Sequence, residues 1–316
     1  MKVLANDGIA QTGVDQLEKA GFEVITTNVA QEQLENYIND NKIDVILVRS
    51  ATTVRAELID ACPSIKIIGR GGVGMDNIDV DYARDQGLHV INTPAASSHS
   101  VAELVFAHLF GMVRYLYDAN RNMPLDGDTK FKALKKNYAN GKELKGKTLG
   151  VYGFGRIGQA TAKVALGVGM KVVAFDPFLE ETNLELEFYD GQKLNFPIKT
   201  ISKAELLKQA DFITLHVPAQ KDFVIGEAEI KAMKDGVGLI NAARGGVVNE
   251  VELVQALESG KIAYAGIDTF MDEPKPAMQV LMNQHVSLSP HIGAATGEAQ
   301  DRIGSELATQ IIDLLQ

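Results

Sequence analysis

Residues 147–176 read KTLGVYGFGRIGQATAKVALGVGMKVVAFD. A run of β-type residues enters Gly153, Gly155 and Gly158 in the spacing G-x-G-x-x-G. A helical stretch follows, and a second apolar run, KVVAF, ends on Asp176. A strand–turn–helix–strand unit satisfies this pattern, and each residue in it has a physical task. Gly153 permits the tight turn off the strand, Gly155 lets a pyrophosphate approach the backbone, and Gly158 lets the helix close on the sheet. The helix N-terminus, near Arg156 and Ile157, offers unpaired N–H groups and the positive end of its dipole. Asp176 lies 18 residues beyond Gly158, where a carboxylate accepts from both ribose hydroxyls and repels a 2′-phosphate. The unit therefore predicts a dinucleotide site with NAD preferred over NADP.

The rest of the chain extends this rhythm in both directions. KVLAN, FEVIT, DVILVR, IKIIGR and HVIN are short apolar runs of the buried-strand kind, separated by amphipathic stretches such as TGVDQLEKAG and QEQLENYIND. A second series follows residue 147: LGVYG, KVVAF, DFITLH, VGLINAA, YAGIDTF and VSLSPH. The 316 residues suffice for about two domains. The expected class is α/β, with two doubly wound parallel sheets, one flavodoxin-like for substrate and one Rossmann-type for NAD. The terminal stretch TGEAQDRIGSELATQIIDLL reads as one amphipathic helix returning to the first domain. Residues 1–96 plus 291–316 are thus expected to form a discontinuous substrate domain, residues 97–290 the NAD domain, with the active site in the cleft between them. Residues 92–100, NTPAASSHS, have a hinge-like composition and supply Ser98 or Ser100 as cap for a helix running to about Asn120.

Net charge is −10, which argues against nucleic acid or an anionic membrane as partner and makes individual arginines worth reading. The single cysteine, Cys62, excludes an intrachain disulfide and reads as a packed helix end. The N-terminus MKVLANDGIA lacks a long apolar run, and VAELVFAHLFGMV is too short to span a bilayer. A cytoplasmic location is expected. No cluster of His, Cys or carboxylates has metal spacing, so no metal is expected.

Three further segments end at strand termini of the second half: NAARGG with Arg244, GIDTFMDEP with Asp268 and Glu273, and SPHIGAAT with His291. In an open α/β sheet ligands bind beyond these carboxyl ends. The order G-x-G-x-x-G, Asp, HVP, NAARGG, D-x-x-x-x-E-P, SPHIGAAT resembles the D-isomer-specific 2-hydroxyacid dehydrogenase family over essentially the whole chain. The N-terminal half is most similar to its phosphoglycerate dehydrogenase branch, through VRSATTV, IIGRGGVGMDNIDV and NTPAASSHSVAEL.

That resemblance implies NAD bound by a homodimer, with His291 as acid/base, Glu273 as its carboxylate partner and Arg244 gripping the substrate carboxylate. Histidine, with a reference pKa of about 6.5, suits proton transfer coupled to hydride loss, and an arginine fork suits a carboxylate. The backbone at Val73 and Gly74 is expected to add N–H groups to the same carboxylate. Cofactor contacts are expected from His216, Val217 and Pro218, from Ala242, Ala243 and Arg244, and from His291, Gly293 and Ala294. Asp268 is either a contact to the nicotinamide carboxamide or a turn cap. His89, His99, His108 and His285 read as surface or packed residues.

In the phosphoglycerate branch the arginine of V-R-S-A-T faces the substrate phosphate, which assigns Arg49, with Ser50 beside it. Arg70 either adds charge or is structural. In FKALKKNY one of Lys135 or Lys136 is expected to reach the partner subunit's site. The chain departs from the family at Ser97 and at Gln220-Lys221. It ends at Gln316, where longer relatives carry a regulatory domain. The expected reaction is oxidation of D-3-phosphoglycerate to 3-phosphohydroxypyruvate, the first step of serine synthesis. The alternatives are a D-lactate, glyoxylate or hydroxypyruvate reductase and, in another class, an NAD-sensing corepressor-like interaction protein.

Overall fold

Runs of branched aliphatic residues such as Val45–Val48 are buried along their whole length, as strands covered on both faces must be. The computed structural model describes residues 1–316, which divide into two units: residues 1–100 with 294–316, and residues 101–293. In the first unit β1 (Lys2–Ala5), α1 (Gln11–Lys19), β2 (Glu23–Ile25), α2 (Leu34–Asn41), β3 (Val45–Val48), α3 (Ala56–Ala61), β4 (Ile67–Arg70), α4 (Val80–Asp85) and β5 (His89–Asn92) alternate. The strands pair in parallel in the order β2-β1-β3-β4-β5, a doubly wound sheet. Cys62 caps the C-terminus of α3 at 1% exposure. Burial, aided by the charge of Glu35, pushes its thiol up to about 11.

α5 (Ser98–Val113) leads into the second unit, followed by α6 (Leu116–Asp126), α7 (Phe131–Asn137), β6 (Thr148–Tyr152), α8 (Arg156–Val168) and β7 (Lys171–Phe175). Next come β8 (Glu181–Glu187), β9 (Lys193–Lys199), α9 (Lys203–Gln209), β10 (Phe212–Leu215), α10 (Glu227–Ala232) and β11 (Val237–Asn241). The series closes with α11 (Glu250–Glu258), β12 (Ile262–Ile267), α12 (Met278–Leu281) and β13 (Val286–Leu288). Six strands pair in parallel in the order β13-β12-β11-β10-β6-β7. Separate apolar clusters, one around Leu215, Leu239 and Ile267, the other around Leu109, Val151 and Phe154, form its core.

The last helix, α13 (Gly297–Leu315), buries Ile303, Leu307 and Ile311 in the first unit. Its Gly304 meets Gly13 of α1 so closely that a Cβ on Gly13 would lie 2.7 Å from the Gly304 carbonyl oxygen. No helix is long and apolar enough to cross a membrane.

Three features differ from the sequence reading. The helix expected to reach Asn120 breaks at Tyr115, whose φ of 54° is left-handed, and α6 starts afresh beyond it. Neither serine caps α5: Ser98 is helical with its buried hydroxyl unpartnered, and the Ser100 hydroxyl pairs with Thr296 Oγ1 at 2.8 Å. Residues 181–199 form an antiparallel hairpin, β8 with β9, where no strands were expected.

Candidate nucleotide and acid–base site

The parallel register lines up the strand ends of the second unit. Tyr152 pairs with Leu215, Leu215 with Asn241, Asn241 with Ile267 and Ile267 with Leu288. The glycine turn, His216, Ala242, Asp268 and Ser289 thus leave the same edge of the sheet. Four inter-strand steps of about 4.8 Å make this row about 19 Å long, on the scale of an extended dinucleotide.

At one end of the row stands the glycine turn. Gly153 has φ +90° and presses on the carbonyl of His216, so a side chain there would collide with backbone. Gly158 sits equally hard against the Gly153 carbonyl oxygen. At Gly155 a Cβ would meet nothing within 4 Å. The first two glycine contacts belong to the fold, whereas Gly155 is open on its side-chain face. α8 begins at Arg156, so the N–H groups of Arg156 and Ile157 have no intrahelical partner. Asp176 Oδ2 accepts from Phe154 N at 2.7 Å and Oδ1 from Phe178 N at 2.9 Å, which fixes the carboxylate and leaves a lone pair on each oxygen for a ribose hydroxyl. An open glycine turn, a free helix N-terminus and an anchored acid fit a pyrophosphate and a ribose.

His216 is neutral, because burial pushes its ring down to about 3. Its Nε2 bonds Thr214 Oγ1 at 3.0 Å, while Nδ1 is sealed without a partner. Val217, half-buried, and Pro218, exposed, follow it off β10 as loop residues.

Asp176→Ala is expected to narrow the preference for NADH over NADPH, chiefly by weakening NADH. The ratio of kcat/KM for the two cofactors on one keto acid measures this, and an unchanged ratio would remove Asp176 from ribose recognition.

The other end of the row carries the acid–base groups. Glu273 bridges two partners: Oε1 accepts from Phe270 N at 2.9 Å and Oε2 lies 2.8 Å from His291 Nδ1. This leaves His291 Nε2 for a ligand. His291 has φ +55°, rare for a residue with a side chain. Its N–H donates to the Asp268 carbonyl at 2.8 Å. Asp268 itself is 1% exposed, and its carboxylate accepts from Ser289 Oγ, Ile292 N and Gly293 N at 2.6, 2.9 and 3.0 Å. Of its two expected roles the structure favours the cap: the carboxylate clamps the loop that bears His291.

Arg244 follows β11 in a turn tied by Asn241, whose side chain accepts from Ala243 N and donates to the Arg244 carbonyl. Ala242 and Ala243 are buried in that turn, and Arg244 Nη1 donates to the Ala243 carbonyl at 2.7 Å. The next residue, Gly245, packs against the Phe270 carbonyl, where a Cβ has no room. The arginine turn and the Glu273 loop are therefore locked together. Glu250, at the start of α11, adds a contact the sequence did not flag: its Oε1 accepts from Met271 N at 2.7 Å. Burial, with Asp272 and Glu273 adding repulsion, raises its pKa. Its position one residue beyond the N-cap Asn249 was the available signal.

In the first unit, Arg49 leaves the end of β3. Its backbone is held from both sides, by Asp7 Oδ2 at 2.6 Å and Asn77 Nδ2 at 2.7 Å, and its stem runs over Gly71. Arg49 is half-buried as a residue, and its guanidinium takes no hydrogen bond or ion pair within the chain. Ser50 is exposed beside it. Arg70 is half-buried, with Nη1 donating to the Gly71 carbonyl at 3.0 Å. Asn92 donates to the Val73 carbonyl at 2.7 Å, which fixes the loop, while the N–H groups of Val73 and Gly74 have no acceptor in the chain. Ala294 belongs to this unit, its carbonyl accepting from Gln300 Nε2. Lys135 and Lys136 lie exposed on α7.

A family model described as the NAD-binding domain of D-isomer-specific 2-hydroxyacid dehydrogenases matches residues 106–293. The chain is 41% identical to a hydroxypyruvate reductase of Thermotoga maritima, over 98% of this chain and 97% of that one. It is 39% identical to a D-3-phosphoglycerate dehydrogenase of Methanocaldococcus jannaschii over 100% of this chain, and spans only 58% of that relative. A crystal structure of D-lactate dehydrogenase from Aquifex aeolicus with NAD and lactic acid superposes with a TM-score of 0.76 at 30% identity, covering 100% of this chain and 95% of that one.

Proposed function

The chain belongs to the D-isomer-specific 2-hydroxyacid dehydrogenase family, whose members are NAD-dependent oxidoreductases, and from that premise we propose that it oxidises D-3-phosphoglycerate to 3-phosphohydroxypyruvate. One observation carries the choice of substrate: Arg49 is half-buried with its backbone clamped by Asp7 and Asn77, and its guanidinium has no partner in the chain. An organised arginine without an internal anion suits an anionic group on the substrate.

In this reading Arg244 takes the α-carboxylate in its planar fork. When bound, NAD supplies the hydride acceptor. His291 Nε2 accepts the C2 hydroxyl proton as that carbon loses its hydride, and returns a proton to the carbonyl oxygen in the reverse direction. The positive charge that the ring gains is opposed by Glu273 at Nδ1. Glu273 also fixes the ring's tautomer and rotation, so Nε2 is presented without further reorganisation. On this reading the reaction opens serine synthesis in the cytoplasm, and the expected assembly is a homodimer.

A second reading, reduction of hydroxypyruvate or glyoxylate, draws support from the Thermotoga relative, which matches over nearly its full length. Arg49→Ala separates the two. Charge-assisted hydrogen bonds of this type contribute about 1.5–3 kcal/mol, or roughly 10- to 150-fold. The variant is expected to lose at least about tenfold in kcat/KM on phosphohydroxypyruvate and little on hydroxypyruvate, which lacks the phosphate. Equal losses on both would put the reductase reading ahead. Absence of turnover with any 2-keto acid would leave the interaction-protein alternative.

A further inference from the structure

His108 has no part in the mechanism above, yet it is a histidine buried to 4% exposure in the apolar helix α5. Burial lowers its pKa against the opposing pull of Asp268, so the ring is neutral. Both ring nitrogens are engaged: Nδ1 lies 2.8 Å from Ser287 Oγ and Nε2 lies 2.9 Å from Ser289 Oγ. Ser289 in turn donates to Asp268 Oδ1 at 2.6 Å. A carboxylate only accepts, and this fixes the direction of every bond in the chain. With its proton on Asp268, Ser289 must accept from His108 Nε2–H, and Nδ1 then accepts from the Ser287 hydroxyl. The ring has room because Gly266 of β12 lies beneath it, where a Cβ would come within 2.9 Å of His108 Cβ.

The far end of this relay is the His291 loop. Asp268 receives Ile292 N and Gly293 N on its carboxylate and His291 N on its carbonyl. These bonds hold a left-handed, side-chain-bearing residue in a backbone conformation that is otherwise disfavoured.

We propose that His108 is a positioning residue for the reaction, acting through the directed relay His108–Ser289–Asp268 to hold the His291 loop in its working conformation. The inference rests on the reading of His291 as the acid–base group. A histidine kept only to fill the core would need neither the fixed tautomer nor the serine on its Nε2. Loss of the Nε2 donor frees the Ser289 hydroxyl to turn away from Asp268. The carboxylate then has one bond fewer with which to hold residues 291–293, and the imidazole drifts from its place over the substrate oxygen.

The test uses the full chain and two readouts: kcat and KM with NADH and a 2-keto acid, and hydrogen exchange of the backbone amides of residues 291–293. Displacement of a catalytic group by about 1 Å costs up to 100-fold, so His108→Phe is expected to lower kcat roughly 10- to 100-fold with the KM for NADH unchanged. It is also expected to speed exchange at Ile292 and Gly293. His108→Gln places an amide N–H near the Nε2 position and is expected to restore both readouts, whereas His108→Asn, which reaches only the Nδ1 position, is not. Ser289→Ala, the loss of one oxygen, should reproduce His108→Phe and decides the matter if the larger change prevents folding. Wild-type kcat and exchange in His108→Phe and Ser289→Ala, or equal rescue by Gln and Asn, would overturn the proposal. Failure of the wild-type protein to turn over would defeat the dehydrogenase reading, while the exchange data would still decide the relay.

Discussion

His291→Ala is expected to lower kcat by about 10²- to 10⁴-fold while NADH binds as before. On the proposed reading the imidazole meets the reacting oxygen, and it takes no part in holding the glycine turn at the other end of the row. The chain contains no tryptophan, so cofactor binding can be followed directly by nicotinamide fluorescence. Glu273→Gln refines the result. The amide fills the same space but has one acceptor where the carboxylate has two, so it cannot serve both Phe270 N and a ring N–H. It also carries no charge against the imidazolium, so kcat should fall with little change in KM for the keto acid. A His291→Ala variant with near-normal kcat would remove the acid–base assignment. Loss of NADH binding in it would show the residue to be structural.

Gly158→Ala is expected to reduce NADH affinity on the order of 100-fold. The added methyl falls inside contact distance of the Gly153 carbonyl oxygen, and both groups are backbone, so neither can swing aside. The turn must shift, and the first N–H groups of α8 shift with it. Overpacking of this kind typically destabilises by about 1–3 kcal/mol, so the melting temperature should fall as well. Gly155→Ala is the informative contrast, because no protein atom lies within 4 Å of its Cβ position. Its melting temperature should match the parent, and any loss of NADH affinity reports the closeness of the ligand alone. Normal affinity in both variants would take the glycine turn out of cofactor binding.

Much of this site could be read from residue order, because the groups concerned sit at strand ends and strand ends announce themselves by composition. The alternation of apolar runs and amphipathic stretches located each strand of the two parallel sheets. Glu273 and His291 were identified by motif, and their 2.8 Å contact follows from the neighbouring positions of β12 and β13. The hairpin escaped for a different reason. ETNLELE and KLNFPIK alternate polar and apolar residues around Asp190-Gly191, a recognisable turn pair, but the pair is an excursion set between two units of the parallel βα rhythm. The break at Tyr115 leaves no mark in residue type, since tyrosine has no special liking for left-handed backbone. Asp268 could be placed at a strand end, but whether its carboxylate faced a ligand or its own loop depended on contacts to Ser289, Ile292 and Gly293. The contact between His108 and Ser289 joins residues 181 positions apart, beyond the reach of any local pattern.

The buried end of α3 has a practical consequence. Thiolate is the form of cysteine that reacts, and Cys62 is short of it on two counts, being 1% exposed and held near 11. A disulfide reagent added at neutral pH must wait until the first unit opens around α3 and the thiol returns to its ordinary acidity. The chain has no other cysteine to confuse the signal. When reclosing outpaces modification, the labelling rate is proportional to the population of that opened form. A single absorbance trace on unmodified protein would therefore serve as a clock for breathing of the first unit, and its slowing in the presence of a ligand would register stabilisation there without any measurement of turnover.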